Sequence, residues 1–140
     1  MEGQSRKIEA AVFPPPKRVA VLGYSSDPRR PSHEVAAALK RWGYVVYPVN
    51  PHAASPAGEH VYASLAEVSG PVDIVVVFRR FEHLRAHERD ILDKRPSVLW
   101  LQDGVRDDEL AERVERVGIL VVQDDCIARR YAHWSAGRSL

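Results

Sequence analysis

The 140-residue chain has one cysteine, Cys126, one asparagine, Asn50, and one methionine. A single cysteine excludes a disulfide within the chain. It also excludes a zinc or iron–sulfur site that draws several thiolates from one polypeptide. No apolar stretch approaches the roughly 18 residues that cross a bilayer. The first residues, MEGQSRKIEAAVFPPP, lack the apolar centre of a secretory signal, so the cytoplasm is the expected compartment. An excess of one charge is missing too. Twenty basic and 19 acidic side chains leave a formal charge of +1. That balance argues against a protein built to neutralise nucleic acid or an acidic membrane surface. Lysine is scarce, at 4 residues against 16 arginines.

What is present suits one packed domain. Hydrophobic residues make up 45% of the chain, and its length has little room for two domains. Pro14, Pro15 and Pro16 stop any helix before Lys17. Residues 1–16 therefore read as an N-terminal arm, and residues 17–140 as a single domain. Five β-branched runs follow, at Val19–Leu22, Val45–Val49, Ile74–Phe78, Val98–Leu101 and Leu120–Val122. They are continuously apolar rather than alternating, as in strands covered on both faces. Helical spacing separates them. Val35, Leu39 and Trp42 form one stripe, closed by Gly43. Phe81, Leu84, Ile91 and Leu92 form another, ahead of Pro96. Leu110, Val114 and Val117 form a third, closed by Gly118. A short helix is expected at Ser64–Val68 and a last one from about Cys126 to Trp134. Strands alternating with helices predict an α/β, Rossmann-like, doubly wound parallel sheet of five strands. The order 3-2-1-4-5 is the first expectation and the flavodoxin-like 2-1-3-4-5 the alternative.

Ligands of such sheets sit beyond the carboxyl ends of the strands. The loop after the first strand holds Gly23, Tyr24, Ser25, Ser26, Asp27, Pro28, Arg29, Arg30, Pro31 and Ser32. Gly23 permits close approach of a ligand, the serines offer hydroxyls and the arginines offer charge. Ser32 is the expected N-cap of a helix whose dipole would face the loop. Together these predict a phosphate-binding loop; a polar crossover with solvated arginines is the competing reading. The glycine spacing is not that of a dinucleotide fingerprint, because Ser25 and Pro28 stand where glycines would. It is not that of a P-loop either. The second strand ends in Asn50-Pro51, either a turn or an amide that reads an adenine or ribose edge. Arg79 and Arg80 end the third strand and would face the same crevice, unless they pair with Glu82 or Asp27.

The ordered set of strand-end residues resembles a known family, the small stand-alone CoA-binding proteins. It is similar to the nucleotide-binding domain of the succinyl-CoA synthetase alpha subunit. The resemblance runs from about Lys17 to Trp134. It is carried by Val19–Ser25, Arg30-Pro31-Ser32, Gly43-Tyr44, Tyr47–Pro51, Tyr62–Leu65, Pro71–Val75, Val77-Phe78-Arg79, Trp100–Val105 and Asp124-Asp125-Cys126. It implies a site for coenzyme A or an acyl-CoA. Gly23, Tyr24, Ser25 and Ser26 would line the phosphates, and Arg30 and Ser32 the adenosine end, with Arg29 in the same loop. Val49, Asn50 and Pro51 would border adenine and ribose. Phe78, Arg79 and Arg80 would flank the nucleotide, and Gln102 and Gly104 would approach the pantetheine. The chain departs from the family pattern at Phe81, where proline is frequent, and in the proline-rich arm, where a short amphipathic helix is usual.

Chemistry beyond binding has few candidates. The synthetase's phosphorylatable histidine belongs to a second domain outside the resemblance, so ligase activity is not expected to carry over. His83 and His87 are spaced as a metal pair without an evident third ligand, so a solvated helix face is the preferred reading. Of Asp103, Asp107 and Asp108, one is expected to cap the following helix. Cys126 stands at a strand end near a helix start, where it is either an inert thiol or one able to exchange with the CoA thiol. The reading reached is a non-catalytic sensor, carrier or regulatory module for CoA. The alternatives are a redox or acyl-transfer enzyme using Cys126 or a partner subunit, and an interaction module with a vestigial nucleotide site. A homodimer is the working expectation for assembly.

Overall fold

The computed structural model describes residues 2–53, 59–79 and 81–138. Five parallel strands form its sheet: β1 (Arg18–Leu22), β2 (Val45–Val49), β3 (Ile74–Val77), β4 (Val98–Leu101) and β5 (Leu120–Val122). All four residues of β3 and of β4 are buried, which is why these runs carry no polar alternation. The third run stops one residue short of Phe78, which leaves the sheet as its ring reaches the strand-end surface.

The strands are arranged 2-1-3-4-5, the alternative order. The first expectation, 3-2-1-4-5, placed Ile74–Val77 beside β2. It pairs with β1 instead, with Val19 opposite Ile74 and Leu22 opposite Val77. The reason lies on the outer edge of β2. There Tyr62 makes an isolated parallel bridge to Val49 and donates its N–H to the Pro48 carbonyl at 2.8 Å. This one-residue bridge stands where a Rossmann sheet puts its third strand. Counted so, the sheet would read 3-2-1-4-5-6.

Side chains alternate across the sheet as the pleat demands. Ala20, Leu22, Val75, Val77, Leu99 and Leu101 point to one face. They meet Leu65 of a 3₁₀ turn (Leu65–Glu67), Leu84, Ile91 and the helix residues Leu110 and Val114. That layer holds α3 (Phe81–Leu84), α4 (Glu88–Lys94) and α5 (Asp108–Glu115), with a 3₁₀ turn, Arg85–His87, between α3 and α4. The expected continuous stripe from Phe81 to Leu92 is thus broken in its middle. Val19, Val21, Ile74, Val76, Val98 and Trp100 point to the other face. They pack on α1 (Glu2–Val12), α2 (Pro31–Arg41) and α6 (Ile127–Arg138). Helices on both faces explain why the strands are apolar on both sides.

The N-terminal arm is a helix, α1, contrary to expectation. Val12 and Phe13 at its end are buried in the second core. The Tyr44 hydroxyl lies 2.6 Å from the Val12 carbonyl and 2.9 Å from that of Phe13, and closes the orphan end of the helix. Phe13 also stacks on Trp134 at 5.8 Å and meets the Trp100 edge at 6.2 Å. The prolines end this helix, as expected, but they do not prevent it. No helix among the described residues is long and apolar enough to cross a membrane.

Candidate functional site

Beyond the carboxyl ends of β1, β3 and β4 lies a cleft of about 530 Å³. Gly23, Ser25, Arg30, Pro31 and Ser32 form one wall; Phe78, Gln102, Asp103 and Cys126 form the other. The cleft is within the size range of small-molecule sites, about 300–1,000 Å³. It lies at the switch point between β1 and β3, where connections leave toward opposite faces.

The loop after β1 is shaped by its own hydrogen bonds. Gly23 has φ of +84°, and an added β-carbon would stand 2.9 Å from Cδ of Arg79. Gly23 N–H and Tyr24 N–H both donate to the Val49 carbonyl, at 3.0 and 3.2 Å. Ser25 N–H donates to Ser32 Oγ at 2.9 Å, and Asp27 N–H to Ser25 Oγ at 3.1 Å. Ser32 therefore ties the loop to α2 rather than capping it. The N-cap position belongs to Arg30, whose side chain makes no cap bond, and Pro31 opens the helix. Glu34 in the first turn and Lys40 and Arg41 in the last suit the helix dipole.

Tyr24 is only 2% exposed, so its ring lies beneath the loop. Its hydroxyl donates to Glu59 Oε1 at 3.0 Å and lies 3.2 Å from His33 Nδ1. Burial, together with the Glu59 carboxylate, pushes its pKa up to about 12. Asn50 behaves as a turn residue. Its Nδ2 donates to the Tyr24 carbonyl at 2.8 Å and its Oδ1 accepts from His52 N–H at 2.8 Å. Its amide thus fastens the β2 end to the β1 loop. Val49 is buried and contributes its carbonyl, while Pro51 is exposed.

The arginines separate. Arg29 pairs with Asp27, Nε to Oδ1 at 3.1 Å and Nη2 to Oδ2 at 3.0 Å, and stays exposed outside the cleft. Arg29 holds the Asp27 carboxyl below the usual carboxylate range. Arg30 lines the cleft with no ion pair among the described residues. Arg79 lies along Gly23, and its Nε is buried without a hydrogen-bond partner among the described residues. Arg80 falls outside the described residues. Beside Arg79, burial and that cation together lower the pKa of His87, which sits in the turn before α4. Among the described residues no three His, Cys, Asp or Glu side chains gather as a metal site.

On the far wall, Gln102 is 4% exposed. Its Oε1 accepts from Ile127 N–H at 2.9 Å at the start of α6, and its Nε2 has no partner among the described residues. Gly104 is exposed and stands outside the cleft, its N–H held by Asp124 Oδ1 at 2.8 Å. Asp103 pairs with Arg129, which lowers its carboxyl pKa. Ser26 is part-buried on the loop, and its N–H, like that of Ser32, lacks a hydrogen-bond partner among the described residues.

The structure therefore brings Gly23, Ser25, Arg30, Ser32, Phe78 and Gln102 to one cleft. It uses Tyr24, Val49 and Asn50 as the support of the β1 loop. Asp103 joins the wall although it was expected only as a possible helix cap, and Cys126, expected at a strand end as either an inert or an exchanging thiol, lines the cleft as well. Pro31 and Val35 were missed because a helix start looks the same in sequence whether or not it borders a cleft. The unspent donors are the Arg30 guanidinium, Arg79 Nε, Gln102 Nε2 and the N–H groups of Ser26 and Ser32. Such a set suits a ligand rich in phosphate and carbonyl oxygens.

Residues 17–132 match a family described as the CoA binding domain. The uncharacterized protein YneT of Bacillus subtilis is 36% identical over 132 residues, covering 94% of this chain and 98% of its own. The alpha subunit of an ADP-forming acetate–CoA ligase from Pyrococcus furiosus is 30% identical over 129 residues. That match covers 84% of this chain but 28% of the subunit. Among solved structures, cell-free ID.343 from Thermus thermophilus superimposes with a TM-score of 0.83 at 36% identity, over 94% of this chain and 96% of that one. A hypothetical protein of Pyrococcus horikoshii shares the fold, with a TM-score of 0.83 at 24% identity over 93% of this chain and 90% of its own.

Proposed function

The chain belongs to the family of CoA-binding domains, and on that premise we propose that it binds coenzyme A or an acyl-CoA in the strand-end cleft as a non-catalytic sensor, carrier or regulatory module. The observation that carries this reading is the set of unspent donors around one cleft. Arg30 and the N–H groups at the start of α2 offer charge and dipole to phosphate. Gly23 keeps the backbone low enough for that approach. Arg79 Nε is an orphaned buried donor beside Gly23, and a phosphate oxygen would relieve it. Phe78 gives an apolar surface, and Gln102 offers Nε2 to an amide carbonyl of a pantetheine arm. Ser25 and Ser26 lie on the loop between these groups.

Thermal denaturation with a ligand panel tests this. The panel holds CoA, acetyl-CoA, dephospho-CoA, NAD, FAD and ATP. A ligand at about 100 times its dissociation constant stabilises the native state by about 2.7 kcal/mol, which raises the midpoint by several degrees. CoA is expected to raise it, dephospho-CoA to raise it less, and Arg30→Ala to abolish the difference. A shift with NAD or FAD but none with CoA would overturn the reading.

A further inference from the structure

Arg79 follows β3 and Phe78, and its side chain lies along Gly23, which lines the cleft. Its Nε is buried without a hydrogen-bond partner, and its guanidinium makes no ion pair among the described residues. A buried charged donor left open is costly unless an acceptor reaches it. His87 closes the 3₁₀ turn before α4 and is half-buried, and it too has no hydrogen-bond partner among the described residues. The charged groups that act on it are Arg79 from the β3 end, His83 from α3 and Asp90 from the first turn of α4. Its chain neighbours are committed elsewhere, Arg85 to Asp107 and Glu88 to Arg113, each at 2.7 Å. Burial and the Arg79 cation hold the imidazole below its ordinary range, against the pull of Asp90. A fixed cation and an imidazole that repel each other, both with open donors, are what a bound anion would reconcile.

We propose that Arg79 and His87 form one anion subsite, where the pyrophosphate of the ligand seats against both and His87 takes up a proton from solvent as it does so. This rests on the reading that the cleft takes CoA. The phosphates would then be held from both layers of the sheet, by Arg30 and the start of α2 on one side and by Arg79 and His87 on the other. The coupling follows from charge. Phosphate oxygens offset the field of Arg79, so the bound state favours the imidazolium that the free state disfavours. Neutral imidazole has one N–H donor and the imidazolium has two, which also favours the charged ring beside an anion. Affinity is therefore highest at acid pH, where His87 is charged with or without ligand. It declines as pH rises through the range in which the bound ring loses its proton.

The test is titration calorimetry of the full chain with CoA and with dephospho-CoA, from about pH 5.5 to about pH 8.5, in pairs of buffers that differ in ionisation heat. Dephospho-CoA keeps the pyrophosphate but lacks the phosphate monoester, whose own ionisation at about pH 6 would mask the effect. The expected result with dephospho-CoA is net proton uptake, seen as a binding heat that changes with the buffer. Its affinity should be at least about threefold higher at the acid end. His87→Gln should bind with the weaker, alkaline affinity at every pH and take up no proton. Arg79→Gln should lose both affinity and uptake. The ring resonances of His87 in the unaltered protein give an independent reading, since their titration should move to higher pH when dephospho-CoA is bound. Binding with neither buffer-dependent heat nor that movement, or uptake that survives in His87→Gln, overturns the subsite and leaves the CoA reading standing. So does binding of CoA without any binding of dephospho-CoA. Failure of both ligands to bind at every pH overturns the CoA reading and the subsite together.

Discussion

At Gly23 the backbone takes φ of +84°, and the nearest side chain, Arg79, stands where a β-carbon would project, 2.9 Å from Cδ. Two costs coincide there, since an L residue strains at positive φ and Arg79 must move. Gly23→Ala is expected to lower stability by about 1–3 kcal/mol and to weaken CoA binding, read from the thermal midpoint with and without ligand. Asn50 works at the same scale from the other side. Its two hydrogen bonds, to the Tyr24 carbonyl and from His52 N–H, join two strand-end loops. Asn50→Ala should cost about 1–2 kcal/mol and reduce CoA affinity by loosening the β1 loop. A binding loss without any stability loss would instead give Asn50 a direct contact. Tyr24 supplies a pH signature. Its pKa stands at about 12 in the folded chain against about 10 when unfolded. The unfolded state therefore ionises first, and this stabilisation, complete below about pH 10, is lost as pH rises toward 12. Tyr24→Phe should flatten the alkaline limb of a stability–pH curve.

Helix starts show how an element is positioned by its cap. At α5, Asp107 is 4% exposed and its Oδ1 accepts from Leu110 N–H at 3.1 Å. Of the three aspartates after β4, this is the one that caps. Arg85 donates to the same carboxylate through Nε at 2.7 Å and Nη2 at 3.1 Å, joining α5 to the turn before α4. The Arg85 guanidinium chiefly holds the Asp107 carboxyl below the usual range. A depressed folded pKa gives stability that is present above about pH 4 and is lost as pH falls through the folded value. Asp107→Asn should reduce the acid-limb slope, and Asp107→Ala should cost about 2 kcal/mol at neutral pH, both measured by urea unfolding. At α2 the cap position has no side-chain acceptor, since Ser32 is engaged by Ser25 N–H. The helix start is left with open donors facing the cleft, which is what an anion site requires.

Over the whole molecule, the second core is completed by a segment outside the alternating β–α pattern. Phe13 of the N-terminal segment fills the space between Trp100 of β4 and Tyr131 and Trp134 of α6. Phe13→Ala should cost about 3–5 kcal/mol and lower the thermal midpoint by about 10 °C or more. α6 also carries Ile127, whose N–H Gln102 holds at the cleft. The same substitution should therefore weaken CoA binding in proportion to the loosening of α6. Unchanged stability would mean that α1 is dispensable to the core.

Local patterning alone is enough to read the layered α/β class and the strand positions, and it points to the strand-end loops as the place for a ligand. Those follow from near-neighbour chemistry: β-branched runs, helical stripes, and polar residues placed after strands. It also carried the resemblance that names the ligand. It left open which arginines face the cleft, because Arg29 and Arg30 are adjacent and only the fold pairs one with Asp27. It left open which backbone group the Asn50 amide holds, since its partner Tyr24 is 26 residues away. The choice between the two strand orders was equally out of reach, because it turned on the bridge at Tyr62. Nor did local sequence show that α1 belongs to the core, since the aromatics that bury Phe13 lie on β4 and α6. Each of these is decided by contacts between residues far apart in the chain, whose energies exist only once the sheet has assembled.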